Sequence, residues 1–266
     1  MLDDDVTEHG KSITVKTSAE IQLMFEANQI VAGVLELLQG RIQPGQTTLQ
    51  LDAWAEEFCR DHQGVPAFKG YRGFPASLCV SVNEEVVHGI PSKKVVLREG
   101  DIVSVDFGVK YQGFYGDAAV TIPVGLISPE NEKLLRVTRE SLEHAINQVR
   151  VGNRISDISR AVQVHVEKNG FSVVRQFVGH GIGASLHENP EIPNYVQKNV
   201  SSPRIREGMV FAIEPMVNAG THKVKVLKDN WTVVTADHKP SAHFEHSVAV
   251  TIDGSYILSA MHNLSM

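Results

Sequence analysis

The chain carries one phrase twice, LREGDIVSVD at residues 97–106 and IREGMVFAIE at residues 205–214. Each copy turns at Arg-Glu-Gly, enters an apolar run and ends on a carboxylate, Asp106 in the first and Glu214 in the second. Short apolar runs bounded by turn residues read as buried strands. Two similar halves pack about a pseudo-two-fold axis, and a site near that axis receives equivalent residues from both. The repeat therefore limits the fold and points to Asp106 and Glu214 together.

The duplication extends through the flanking elements. Residues 17–39 predict a helix, opened by a Thr17/Glu20 capping box and carrying Ile21, Met24, Phe25, Val31, Val34, Leu35 and Leu38 at helical spacing, with Gly40 as its stop. A second helix carries Leu51, Ala55, Phe58 and Cys59 and stops at Gly64. The other half repeats this order, with a helix from about Ser128, Pro129 in its first turn, and a second helix ending at Gly170. Gly45 and Gly152, Gly64 and Gly170, and Arg98 and Arg206 lie 106 to 108 residues apart. The expected organisation is a tail over residues 1–16 and a single catalytic domain over 17–266, with repeat halves at about 17–126 and 127–258.

Composition narrows the class. A chain of 266 residues buries roughly 75% of its unfolded surface, so a substantial core is available. A net charge of −6 without any Lys/Arg cluster speaks against nucleic acid as the main partner. The acidic start MLDDDVTEHGKS lacks an apolar signal segment, and no run approaches the ~18 apolar residues of a membrane span, so a cytoplasmic protein is expected. Cys59 and Cys79 are too few for a disulfide framework and read as reduced thiols.

The chemistry-bearing residues fall on and beside predicted strands. VSVDFGVKYQGFYGDAAV, residues 103–120, reads as a β-hairpin. Folded about Tyr111 and Gln112, it sets Asp106 directly opposite Asp117, and like charges so placed call for a cation between them. In FVGHGIGASLHENPEIPNY, residues 177–195, glycines bracket His180, and His187 follows after a short loop. Pro190 and Pro193 break the chain there, which argues against a phosphate-cradling helix. Glu214 lies in FAIEPM, and in HFEHSVAV Glu245 alternates away from Phe244, His246, Val248 and Val250. Four carboxylates and an imidazole make a mixed oxygen and nitrogen set suited to divalent Mn, Fe, Co or Zn.

GHGIGASLHENPEIPNY, the DFG-to-GD segment, GMVFAIEPM, FEHS and the upstream NEEVVHGIP resemble the methionine aminopeptidases, in order and over nearly the whole chain from about residue 17. The resemblance implies a duplicated α/β (α+β) pita-bread fold, an antiparallel sheet with flanking helices and pseudo-two-fold symmetry. It implies two divalent metal ions on Asp106, Asp117, His180, Glu214 and Glu245, with Asp117 and Glu245 bridging; Glu214, a ligand placed beside the water such ions hold, is then the candidate proton shuttle. His88 and His187 would act on the substrate, and Phe68, Tyr71, Phe74, Cys79, Leu186 and Trp231 would line the methionine pocket. Phe68 and Leu186 stand where some relatives have cysteine and phenylalanine. Only 27 positions separate His187 from Glu214, which leaves no room for the helical insertion of type II enzymes and favours a bacterial-like type I form.

The implied activity is removal of the initiator methionine from peptides and nascent chains with a small second residue. The implied setting is a monomer in the cytoplasm in transient contact with the ribosome, with no membrane and no specific nucleic acid. One rival is a proline-directed peptidase of the same fold, which carries a large additional N-terminal domain. The other is a metal-free binding module, which the filled ligand positions disfavour.

Overall fold

The computed structural model describes residues 7–8, 11–197 and 200–261. Residues 1–6 and 9–10, within the predicted tail, lie outside that range. Helix α1 (Ser18–Arg41) opens at the predicted capping box, where Thr17 Oγ1 accepts the Glu20 amide and the Glu20 carboxylate accepts the Thr17 amide. It runs through the expected stop at Gly40, and Ile42 N–H closes on Leu38 O. A glycine inside a helix costs only about 1 kcal/mol, which the surrounding turns absorb. Helix α2 (Thr48–Asp61) is capped in the same way by Thr47 and Gln50.

Helix α3 (Pro129–Ile146) begins after Ser128, with proline in the first turn as predicted, and α4 (Ile155–Lys168) follows. Helices α1 and α2 pack on strands of the first half, α3 and α4 on strands of the second. By length and apolarity α1 is the one described helix that could cross a membrane. Its Met24, Ala27, Val31, Val34, Leu35 and Leu38 are instead buried in the protein interior.

The first half is built around a long hairpin of Ile102–Tyr111 and Phe114–Pro123, and Cys79–Val82 pairs along the other edge of Ile102–Tyr111. Its register corrects the sequence expectation. The turn falls on Gln112 and Gly113, both at positive φ (47° and 91°), so Asp106 pairs with Ala119 and Asp117 with Gly108. A two-residue turn with both residues left-handed follows the natural strand twist, and glycine takes that conformation at little cost. The shift is two positions, so the acids stay on one face as diagonal neighbours.

The second half forms a five-stranded sheet in the order Glu188–Ile192, Gly179–Gly181, Val210–Ile213, His246–Thr251, Gly254–Ile257. The two halves join where Ala119 bridges antiparallel to Glu245, and Ser247 Oγ donates to Asp117 O at 2.8 Å. That seam places acids from both halves side by side.

Candidate metal centre and adjoining pocket

Each proposed donor stands on rigid backbone at the seam. Asp106 and Asp117 come from the hairpin, Glu214 from the residue after Val210–Ile213, and Glu245 from the residue before His246–Thr251. His180 sits mid-strand between glycines, and the sequence argument for those glycines holds. A Cβ on Gly179 would meet Ala212 O at 2.4 Å, and one on Gly181 would meet Asn189 O at 2.2 Å. Only hydrogen at these positions lets neighbouring strands close around the imidazole.

Asp117, His180 and Glu245 are buried and each present one donor atom within 4.8 Å of the others. His180 Nδ1 lies 2.9 Å from Gly181 O, and a carbonyl can only accept, so Nδ1 carries the proton. Nε2 therefore turns a bare lone pair towards Asp117 Oδ2 at 4.0 Å and Glu214 Oε1 at 3.6 Å. Lone pairs facing carboxylates repel unless a cation lies between them.

The carboxylates show the same need. Asp106 Oδ1, Asp117 Oδ1 and Glu245 Oε1 are buried without a hydrogen-bond partner. Burial pushes Asp106 up to about 7. Asp117 is driven well up by burial and then by Asp106 and Glu214, Glu245 by burial and then by Asp117, Glu214 and Asp106, and Glu214 by burial and then by Asp106. Among the described residues on the cavity wall, Arg72 is the one permanently cationic side chain, a single charge against four acids. Divalent cations fit this donor set and remove the cost of burying it.

The cluster forms one side of a cavity of about 130 Å³. The structure brings every sequence-predicted residue to this cavity: Phe68, Tyr71, Phe74, Cys79, His88, Leu186, His187 and Trp231 line it together with the five donors. Phe74 meets Trp231 edge-on at 5.1 Å, and the His187 ring lies on Tyr71 at 5.3 Å and against His180 at 4.2 Å. The Tyr71 hydroxyl meets His187 Nδ1 at 3.0 Å. Burial takes His88 down to about 4, and His187 is lowered to about 3 by desolvation, then by His180, Arg72 and His88. Both are neutral imidazoles at physiological pH.

Two residues were missed by the sequence argument. Arg72 lies at the cavity with φ +50°, its guanidinium 5.3 Å from the Tyr71 ring, and nothing in YRG signals that placement. His243 is buried beside the acids, and a signal for it existed. It precedes Glu245 by two residues, so a period of two puts both on one face.

A profile of metallopeptidase family M24 matches residues 22–252, and the chain belongs to that family. Within it, the chain is 53% identical over 247 residues to methionine aminopeptidase 1 of Bacillus subtilis (strain 168), covering 93% of this chain and 99% of that one. A solved methionine aminopeptidase from Thermotoga maritima superimposes with a TM-score of 0.91 at 48% identity, covering 93% and 99% of the two chains. A prolidase from Pyrococcus horikoshii shares the fold at a TM-score of 0.75 and 20% identity, and this chain covers 65% of it. The pita-bread architecture implied by the sequence is the one these neighbours share.

Proposed function

We infer that this metallopeptidase removes the N-terminal methionine from peptides and nascent proteins whose second residue is small. The observation that carries this reading is the continuity of a buried, charge-deficient donor cluster with an aromatic pocket in a chain of this family. Asp106, Asp117, His180, Glu214 and Glu245 would hold two divalent ions drawn from Mn, Fe, Co and Zn. Such ions, when bound, supply Lewis-acid activation of water and of the scissile carbonyl.

The chain's own residues do the rest. Phe68, Phe74, Cys79, Leu186 and Trp231 take the methionine side chain, whose thioether packs well against aromatic rings. The free amine of the substrate then faces the acidic floor, and the first peptide bond lies beside Glu214. Glu214 accepts the proton of the attacking water and returns it to the leaving amine. His88 and His187, being neutral, donate N–H to the carbonyl oxygen as charge develops on it. A bulky second side chain would meet the walls around the metals. The setting we assign is the cytoplasm, with a monomer meeting nascent chains beside the ribosome.

Tripeptides test this directly. Met-Ala-Ser should be cleaved far faster than Met-Leu-Ser or Leu-Ala-Ser. Cleavage confined to proline-second peptides would transfer the chain to the proline-directed reading, and no cleavage by metal-loaded protein would favour the binding module. Glu214→Gln, in protein shown to retain metal, should lose about 10²- to 10⁴-fold in kcat.

A further inference from the structure

His243 is the one histidine at the acidic cluster to which the reading above gives no task. It is 1% exposed, and neither ring nitrogen has a hydrogen-bond partner. Its backbone is fixed: its N–H donates to Thr121 Oγ1 at 2.8 Å, its carbonyl accepts from the same hydroxyl at 2.8 Å, and it pairs with Met216. A rigidly held, buried imidazole with both nitrogens idle is an expensive arrangement unless something engages it. Nε2 faces Glu214 Oε2 at 4.0 Å and Glu245 Oε2 at 3.9 Å. Both separations exceed hydrogen-bond length, and a turn of either carboxylate about its broad terminal torsion brings an oxygen closer.

The two oxygens of Glu214 are divided between two imidazoles, with Oε1 3.6 Å from His180 and Oε2 4.0 Å from His243. Glu245, in the bridging role the resemblance implies, would use both of its oxygens for ions. Glu214 would give only one to an ion, and its other oxygen has two lone pairs, so it can accept a hydrogen bond and still take up the proton. We propose that His243 is a positioning residue: its Nε2–H holds Glu214 Oε2, so that Oε1, the oxygen facing His180, is the one left to serve an ion. The inference rests on reading the cluster as a metal centre and extends it by a partner outside the ligand set. Partners of this kind orient a ligand and are worth about 10- to 100-fold in metal affinity.

The test uses the donor as its variable. Glutamine retains a terminal amide N–H that can take the place of the imidazole Nε2–H, whereas leucine and methionine fill the space with no donor. In calorimetric titrations with Co(II), His243→Leu and His243→Met should bind metal about 10- to 100-fold more weakly than wild type, while His243→Gln stays close to it. Metal-free melting temperatures identify any variant that misfolds, and two donor-less replacements guard against losing one of them.

A second readout is spectroscopic. In proton NMR of Co(II)-loaded wild type, a coordinated imidazole gives a strongly shifted, solvent-exchangeable N–H signal, and His180 Nδ1–H should give the single such resonance. A second resonance that disappears in His243→Leu would make His243 a ligand and overturn the proposal, as would a glutamine variant no better than leucine or a leucine variant equal to wild type. Wild-type protein that binds no metal would overturn the metal-centre reading itself, an outcome seen before any variant is made.

Discussion

Glu56 shows how one side chain outside the cavity shapes it. Its carboxylate on α2 takes Lys69 at 2.7 Å, the Ser77 hydroxyl at 2.8 Å and Arg60 at 2.7 Å, and so clamps both ends of the segment that carries Tyr71 and Phe74. The Lys69 bond, ahead of those from Ser77 and Arg60, outweighs burial and holds Glu56 at about 2, below the usual 4.5. A depressed carboxylate stabilises the fold above its unfolded pKa, and that contribution disappears as pH falls through the folded value. Glu56→Gln should cost about 1 kcal/mol in urea unfolding at neutral pH and leave no difference near pH 2, because the pair is largely solvated. It should also raise KM for methionine peptides, since the pocket wall loosens. His88 and His187 make a separate prediction: alanine at either should leave metal stoichiometry unchanged and lower kcat by about 10²- to 10³-fold, the worth of a lost oxyanion donor. Loss of an ion from either variant would mean that a ligand has been assigned the wrong role.

At the scale of elements, the hairpin and the glycines next to the acids decide where the donors stand. A Cβ on Gly116 would lie 2.8 Å from Asn28 N and 3.0 Å from Ala27 C, both backbone atoms of α1, so the helix cannot yield locally. Gly116→Ala should cost about 1–3 kcal/mol by overpacking and also weaken metal binding, because Asp117 is the next residue. Gly113→Ala is the control: it meets nothing within 4 Å but sits at φ +91°, so it should lower the melting temperature and spare metal affinity. Equal metal affinities in the two variants would show that the close approach of α1 does not set Asp117. These elements also mark what the sequence could reveal. One capping box, helical spacing and repeated turns identified the four helices because those signals are local. The hairpin was legible but its register was not, since Tyr111-Gln112 and Gln112-Gly113 differ by one step and only the left-handed preference of Gly113 separates them. The seam at Ala119 and Glu245 is a contact between residues far apart in the chain, and no local pattern encodes it. His243 was overlooked for a related reason: periodicity put it on the Glu245 face, but only the assembled seam shows what that face looks into.

For the molecule as a whole, the centre is a junction between two halves, neither of which holds a complete set of donors. Asp106 and Asp117 belong to the first half, and His180, Glu214 and Glu245 to the second, so cations bound among them would act as a cross-link between the repeats. In metal-free protein the junction is a liability. Asp106 is raised to about 7 and the other three acids are raised by burial and mutual repulsion, so the cluster retains protons near neutrality. An acid whose folded pKa exceeds its unfolded value stabilises the fold fully below about pH 4, and this contribution is lost as pH rises through the folded value. Metal uptake must expel the retained protons, so affinity increases with pH. Both effects act in the same direction on the difference between loaded and stripped protein. The gap in melting temperature between metal-loaded and chelator-treated samples should therefore widen from about pH 5 to about pH 8, where free metal at a hundred times its Kd adds about 2.7 kcal/mol of stability per site. Calorimetry in buffers of different ionisation enthalpy should register proton release during the same titration. A gap that stays constant over that range, with no protons released, would show that the four acids are already ionised in the metal-free protein and that the charge at the seam is balanced in some other way.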